Sequence, residues 1–159
     1  MPGTIESDPS YLDGVKESHS LVVASNGVSG TLPTFLSTLG LLGMGLEKNR
    51  ISGTLPPALL SSLTRLIVSE NDALSGTISV TSAAMTQLIL TGSRISGTIP
   101  TQLGSGLTDL ILRGHRLSGS LPTQLGLMSG LTEFYAEGNF LSGSVPTQLY
   151  RRRDRTASA

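Results

Sequence analysis

Residues 131–146 read LTEFYAEGNFLSGSVP, and most of the chain repeats this phrase. Residues 107–122, LTDLILRGHRLSGSLP, align with it position by position. A Ser-Gly pair marks each copy, and successive pairs lie 21 to 24 residues apart. A fixed period of this length is typical of a solenoid, whose stacked coils bury a continuous core. The six pairs fall at 29–30, 52–53, 75–76, 96–97, 118–119 and 142–143.

Each copy contains an L-x-L segment, which alternates with the period of a β-strand. Its two apolar residues are expected to point inward, and one strand per coil predicts a parallel sheet on the concave side. The S-G-x-L/I-P segment predicts a turn residue with unusual φ and then a short second strand that proline ends. The P-T-Q-L segments at 100–103, 122–125 and 146–149 predict single helical turns on the convex side.

An Asn between the two strands is expected to turn the chain, with its amide bonded to the backbone of its own and the adjacent coil. Repeat three carries one extra residue between Asn71 and Leu74. Ser93 and His115 replace the Asn in repeats four and five, and we expect the stretch around them to be the least stable part of the array. Asn at both positions is expected to raise the melting temperature. The residues at this place are Asn26, Asn49, Asn71, Ser93, His115 and Asn139.

The repeat divides the chain into three parts. Residues 18–149 form the array, and residues 1–17 form an N-terminal flank or degenerate cap. Within the flank, Leu12 and Val15 are the candidates to cover the first coil, because an uncovered end coil exposes apolar core. Residues 150–159 form a basic tail.

Composition excludes several classes of function. The formal net charge of the 159 residues is zero, which argues against nucleic acid as a partner. No cysteine is present, so disulfide caps, zinc–thiolate sites and thiol catalysis are excluded. No acid–base pair or ligand cluster is evident, and the sequence predicts no enzyme, no cofactor and no metal site. His115 is interpreted as a substitution within the Asn row rather than as a catalytic base.

The phrase L-x-x-L-x-L-x-x-N-x-L followed by S-G-x-I/L-P resembles the plant-type leucine-rich repeat over residues 18–149. That form occurs in ectodomains of plant receptor-like kinases and receptor-like proteins, in polygalacturonase-inhibiting proteins, and in algal and protist proteins. The resemblance implies an α/β repeat solenoid, a right-handed superhelix of about six coils with a concave parallel sheet. It also implies a cell-surface or extracellular setting. The sequence itself contains no signal peptide, membrane span, cysteine or N-x-S/T sequon, so membrane attachment would depend on segments absent from this chain.

The residue between the two inward positions of L-x-L forms an apolar column on the concave face, running Val22, Gly45, Ile67, Ile89, Ile111 and Tyr135. An exposed apolar strip on such a scaffold indicates an interaction surface, and the alternative is simple β-propensity. A row of arginines just after the Asn position, with Arg113 nearby, predicts charge complementarity to an acidic partner, and this row is Arg50, Arg94 and Arg116. The alternative is a solvated face of mixed sign that also carries Glu47, Asp109, Glu133 and Glu137. The predicted contacts are Ile67, Ile89, Ile111, Tyr135, Arg94, Arg113 and Arg116.

The predicted function is therefore non-catalytic binding of a protein or peptide on the concave sheet. The main alternative is the ligand-binding fragment of a membrane receptor-like protein or kinase. A minor alternative is ice binding through a column of hydroxyl residues on the second strands, because evenly spaced Thr side chains order water. That column is Thr31, Thr54, Thr77, Thr98, Ser120 and Ser144.

Overall fold

The computed structural model describes residues 20–79 and 81–150, and the predictions for the flank at 1–17 and the tail after Tyr150 lie outside these residues. Two parallel six-stranded sheets run along the described array, and each coil contributes one strand to each sheet. The concave sheet contains β1 (Ser20–Val22), β3 (Gly43–Gly45), β5 (Arg65–Ser69), β7 (Gln87–Thr91), β9 (Asp109–Arg113) and β11 (Glu133–Tyr135). The second sheet contains β2 (Ser29–Thr31), β4 (Arg50–Thr54), β6 (Ala73–Thr77), β8 (Arg94–Thr98), β10 (Arg116–Gly119) and β12 (Phe140–Leu141).

The core lies between the two sheets, as the L-x-L pattern predicts. Leu66, Leu88 and Leu110 are register partners in neighbouring strands, and each is 0% exposed. A second buried row follows two residues later, and Leu90 and Leu112 belong to it. Each fully buried Leu stabilises the fold by about 2 kcal/mol relative to an exposed one. The predicted solenoid of stacked coils is confirmed.

The connectors on the convex side differ in length and in structure. Helical turns occur at Thr34–Thr38, Pro57–Ser62, Thr123–Leu127 and Thr147–Tyr150. The prediction of a helical turn at 100–103 is wrong, since that segment forms no helix. The connectors at 78–86 and 99–108 lie within the shortest Ser-Gly spacings, 21 and 22 residues. Length alone does not exclude a helix, because the connector at 55–64 is as long as that at 99–108 and contains the helix Pro57–Ser62.

The connectors at 78–86 and 99–108 pack backbone against backbone. A Cβ at Gly104 would lie 1.9 Å from the carbonyl oxygen of Ser82, so the glycine is required for this approach. The Gly104 N–H donates to Oγ1 of the buried Thr81 at 2.7 Å. This arrangement replaces the helix packing found at the two ends of the array.

Side-chain amides join successive coils, as predicted. Nδ2 of Asn71 donates to the carbonyls of Leu46 at 2.9 Å and Ser69 at 3.0 Å. Its Oδ1 accepts the N–H of Ile51 at 3.0 Å. Asn49 makes the corresponding bonds one coil earlier, including Nδ2 to the Val23 carbonyl at 2.9 Å. Each Asn therefore ties its own turn to the coil before it.

The Ser-Gly pairs have two separate roles in the second sheet. Oγ of Ser75 donates to the Gly53 carbonyl of the preceding coil at 3.1 Å. Gly76 has φ +92°, and a Cβ there would lie 2.9 Å from the Thr54 methyl group. The threonines of the minor alternative thus pack their methyl groups over the next coil's glycines, and they are Thr31, Thr54, Thr77 and Thr98. Ice binding by this column stays a prediction.

Candidate functional site

The structure places the predicted apolar column in register along the concave sheet. Ile67, Ile89 and Ile111 are direct neighbours in β5, β7 and β9, and each is half-buried. Tyr135 extends the column in β11 and is 40% exposed. The predicted contact residues Ile67, Ile89, Ile111 and Tyr135 therefore form one continuous accessible stripe, which we call the apolar stripe.

One flank of the apolar stripe changes from basic to acidic along the array. Arg65, Gln87, Asp109 and Glu133 are successive register partners in β5, β7, β9 and β11. Nε2 of Gln87 donates to Oδ2 of Asp109 at 2.6 Å, which holds this carboxylate in place. The Glu133 side chain is exposed, and its carboxylate makes no hydrogen bond or ion pair within the part of the chain that the structure describes. Sequence reasoning did not include Arg65 or Gln87 in the candidate surface.

The other flank carries a compact cluster at its C-terminal end. Nε of Arg113 forms an ion pair with Oε1 of Glu137 in the next coil. The Arg113 guanidinium carbon lies 4.1 Å from the centroid of the Tyr135 ring, a cation–π arrangement. Arg113 is thereby neutralised and packed against the stripe. Sequence reasoning did not predict this pair, although the alignment of residues 107–122 with 131–146 places Arg113 opposite Glu137.

The three predicted arginine contacts do not lie on one surface. Arg94 and Arg116 are the exposed first residues of β8 and β10, so both belong to the second sheet. Arg113 ends β9 on the concave sheet. Gly114, with φ +67°, and His115 turn the chain between them. The structure thus brings Arg113 to the apolar stripe and separates Arg94 and Arg116 from it.

A threonine ladder, which sequence reasoning missed, fixes the start of the concave strands. Oγ1 of Thr86, Thr108 and Thr132 donates to the backbone carbonyl of the equivalent Thr one coil earlier, at 3.1, 3.0 and 3.0 Å. The Thr86 carbonyl also accepts the N–H groups of Thr108 and Asp109, at 2.8 and 3.1 Å. Oγ1 of Thr108 reaches Oδ2 of Asp109 at 3.1 Å. The ladder therefore orients the acidic flank, and a Thr at one phase of the repeat is its signature.

His115 lies in the Asn row, away from the concave face. It is 3% exposed, and its Nδ1 lies 3.1 Å from Oγ of Ser93. Burial lowers the pKa of the imidazole, and the carbonyls of Leu90 and Ser93 offset part of this effect. No hydrogen bond of good geometry reaches Nε2 among the described residues. His115 therefore stands where the repeat places an Asn amide, and only one of its two ring nitrogens has a good hydrogen-bond partner.

No helix among the described residues is long and apolar enough to cross a membrane. No group of three or more His, Asp or Glu side chains there is placed to hold a metal ion.

The structure is similar to solved plant receptors, although no protein-family model matches the chain. The plant peptide hormone receptor RGFR1 in complex with RGF2 superposes with a TM-score of 0.76 and 29% identity, over 87% of this chain and 24% of the receptor. The Arabidopsis receptor kinase HAESA, in complex with the peptide hormone IDA and the co-receptor SERK1, superposes with a TM-score of 0.76 and 27% identity, over 91% of this chain and 25% of the receptor. The leucine-rich-repeat ectodomain of the receptor kinase SOBIR1 from Arabidopsis thaliana superposes with a TM-score of 0.71 and 25% identity, over 79% of this chain and 72% of the ectodomain. The chain spans about a quarter of the length of the first two. The two stacked parallel sheets and these likenesses identify the fold as a leucine-rich-repeat solenoid like those of plant receptor-kinase ectodomains.

Proposed function

We propose that this chain is a non-catalytic module of the plant-type repeat that binds a protein or peptide partner across its concave sheet. The observation that carries the proposal is the apolar stripe, which stays accessible on a sheet whose opposite face is buried in the central strands β5, β7 and β9. Accessible branched and aromatic side chains in one row give a partner apolar area on a rigid backbone. The likeness to receptors solved with peptide hormones supports the same function.

Tyr135 is the strongest anchor of the proposed surface. Tyr and Arg are over-represented among residues that dominate binding energy. Arg113 stacks over the Tyr135 ring and is itself held by Glu137. The ring is therefore ordered before a partner arrives, which reduces the entropy lost on binding.

The test uses peptides selected from a phage-displayed library of random twelve-residue peptides for binding to the wild-type chain. Ile89→Glu combined with Ile111→Glu is expected to abolish their binding, because two carboxylates in the stripe would have to be desolvated. The matched control is Thr101→Glu with Gln102→Glu, which adds the same charge at two exposed connector positions. All variants are expected to keep the wild-type circular-dichroism spectrum. Undiminished binding to the folded stripe variant would eliminate the proposal.

A receptor-like role for the whole protein is the second proposal. The similar ectodomains of RGFR1 and HAESA are about four times longer than this chain, which favours an array within a larger receptor-like protein or kinase. The intact mass of the endogenous protein tests this directly. A mass well above 16.5 kDa is expected, and a mass near 16.5 kDa would contradict the receptor-like role while leaving the binding proposal in place.

A further inference from the structure

We infer the chemistry of the partner from the flanks of the apolar stripe, and this inference rests on the proposed function. The geometry points to an extended peptide segment with an apolar middle. Its basic end lies over Asp109 and Glu133, and its acidic end lies over Arg65. The two ends of the stripe thus select opposite charges.

The charges that remain free on the concave sheet decide this polarity. Arg113, the one predicted arginine on this sheet, is already paired with Glu137. Glu133 is exposed and unpaired among the described residues, and Asp109 is hydrogen-bonded only to neutral groups there. The C-terminal end of the stripe is therefore acidic, and a partner that is acidic along its whole length would be repelled from it.

Asp109 and Glu133 are poised for one cationic group. They are register partners in adjacent strands, so their side chains leave the same face about 4.8 Å apart at the backbone. Like charges at directly paired positions repel each other, and a cation between them removes this repulsion. Gln87 and Thr108 orient the Asp109 carboxylate beforehand. Exposed ion pairs contribute little affinity alone, so the stripe supplies affinity and the flank supplies selectivity.

The separation of the flank charges sets the spacing in the partner. Arg65 in β5 and Glu133 in β11 are three strand intervals apart. At about 4.8 Å per interval this is about 14 Å, which about four extended residues span. Ile67, Ile89 and Ile111 run beside this row, two residues further along their strands. The expected ligand therefore carries a basic and an acidic residue about four or five positions apart, with apolar residues between.

The experiment reads the composition of the peptides selected on the wild-type chain from the same random library. We expect a basic and an acidic residue at this spacing to be enriched, and binding to weaken as salt rises. Glu133→Lys is expected to weaken the selected peptides about three- to tenfold. Asp72→Lys makes the same charge change at an exposed turn outside the concave sheet and is expected to change nothing.

The outcomes separate this inference from the proposed function. Peptides lost with Ile89→Glu and Ile111→Glu, but without basic enrichment or without sensitivity to Glu133→Lys, would overturn the polarity and leave concave binding intact. Peptides indifferent to the stripe variant, or no enrichment at all, would overturn both. Enrichment that Glu133→Lys removes and Asp72→Lys does not would establish the polarity.

Discussion

The first three coils and the last three make the same turn in different ways. Ser25, Lys48 and Glu70 precede the Asn in the first three coils and adopt left-handed φ values of 58°, 54° and 54°. Gly92, Gly114 and Gly138 take this place in the last three. A left-handed conformation costs about 1–2 kcal/mol for a residue other than glycine, so the amide bonds of the first half hold a strained turn. Where glycine relieves the strain, the Asn row tolerates Ser93 and His115.

The same two halves also differ on the concave face. The first two coils place Val22 and Gly45 in the central column, and Val22 is 69% exposed. The later coils place the larger Ile89, Ile111 and Tyr135 there, flanked by the charges of β9 and β11. The half with the relaxed turn therefore carries the fuller binding surface. The comparison teaches that the turn and the binding face vary independently around one core.

The largest expected effect on the free energy of unfolding is the loss of an Asn side-chain amide from the first three coils, the half with the strained turn. Asn71 is 0% exposed and bonds Leu46, Ser69 and Ile51. Asn71→Ala leaves buried backbone groups unpaired at about 1–3 kcal/mol each, so we expect a loss of about 3–5 kcal/mol in unfolding free energy by urea denaturation. The matched variant Ser93→Ala in the relaxed half is expected to lose less than about 1 kcal/mol. Equal losses would remove the distinction between the halves.

Restoring Asn in the last three coils, the half whose turn glycine relaxes, should have the next largest effect on the free energy of unfolding. His115→Asn removes a buried ring nitrogen without a good partner and restores a side chain of the size the turn accommodates. We expect a gain of about 1–2 kcal/mol and a higher melting temperature. Ser93→Asn is expected to raise the free energy of unfolding only slightly. The Leu74 N–H, which an amide at position 93 would otherwise accept, already donates to the Asn71 carbonyl at 3.0 Å, because repeat three contains the extra residue Asp72. A larger gain at 93 than at 115 would contradict this explanation.

The pH dependence follows from the same histidine. Burial lowers the His115 pKa below the ordinary value of 6.5, so the unfolded chain binds its proton at higher pH than the folded chain does. The contribution to stability is full above about pH 6.5 and falls as pH drops toward the lower folded pKa. Urea denaturation between pH 7 and pH 5 should show a steeper loss in the wild type than in His115→Asn. Parallel curves would mean that the buried ring does not titrate in this way.

The smallest expected effect is relief of strain in the first half. Lys48→Gly is expected to gain up to about 1 kcal/mol, because glycine adopts φ 54° without the steric cost. Gly114→Ala makes the reverse change in the last three coils and is expected to lower the free energy of unfolding by about 1–2 kcal/mol. The two melting temperatures should move in opposite directions. Movement in the same direction would show that the turn strain is not the difference between the halves.

Strands and columns could be predicted from the sequence because the alternation of L-x-L and the fixed period determine them locally. The helical turns could be predicted only in part. Of the three segments with the letters PTQL, two form helical turns, at Thr123–Leu127 and Thr147–Tyr150, and the segment at 100–103 does not. Connector length does not explain the difference, because the connectors at 55–64 and 99–108 each have 10 residues and only the first is helical. The site was also predicted in part. Arg113 and Arg116 are three residues apart in sequence, but the turn at His115 sends them to different sheets. The repeat pattern predicts this turn, and grouping the arginines by their closeness in sequence ignored it.

The most direct test of concave binding compares the two halves within one column. A selected peptide would be titrated against Ile111→Glu and Val22→Glu, which add the same charge to the same column at opposite ends of the array. The account predicts that Ile111→Glu abolishes binding and that Val22→Glu leaves the dissociation constant within about twofold, since Val22 adjoins only Gly45 in the column. Equal loss in both variants, or loss in Val22→Glu alone, would contradict it.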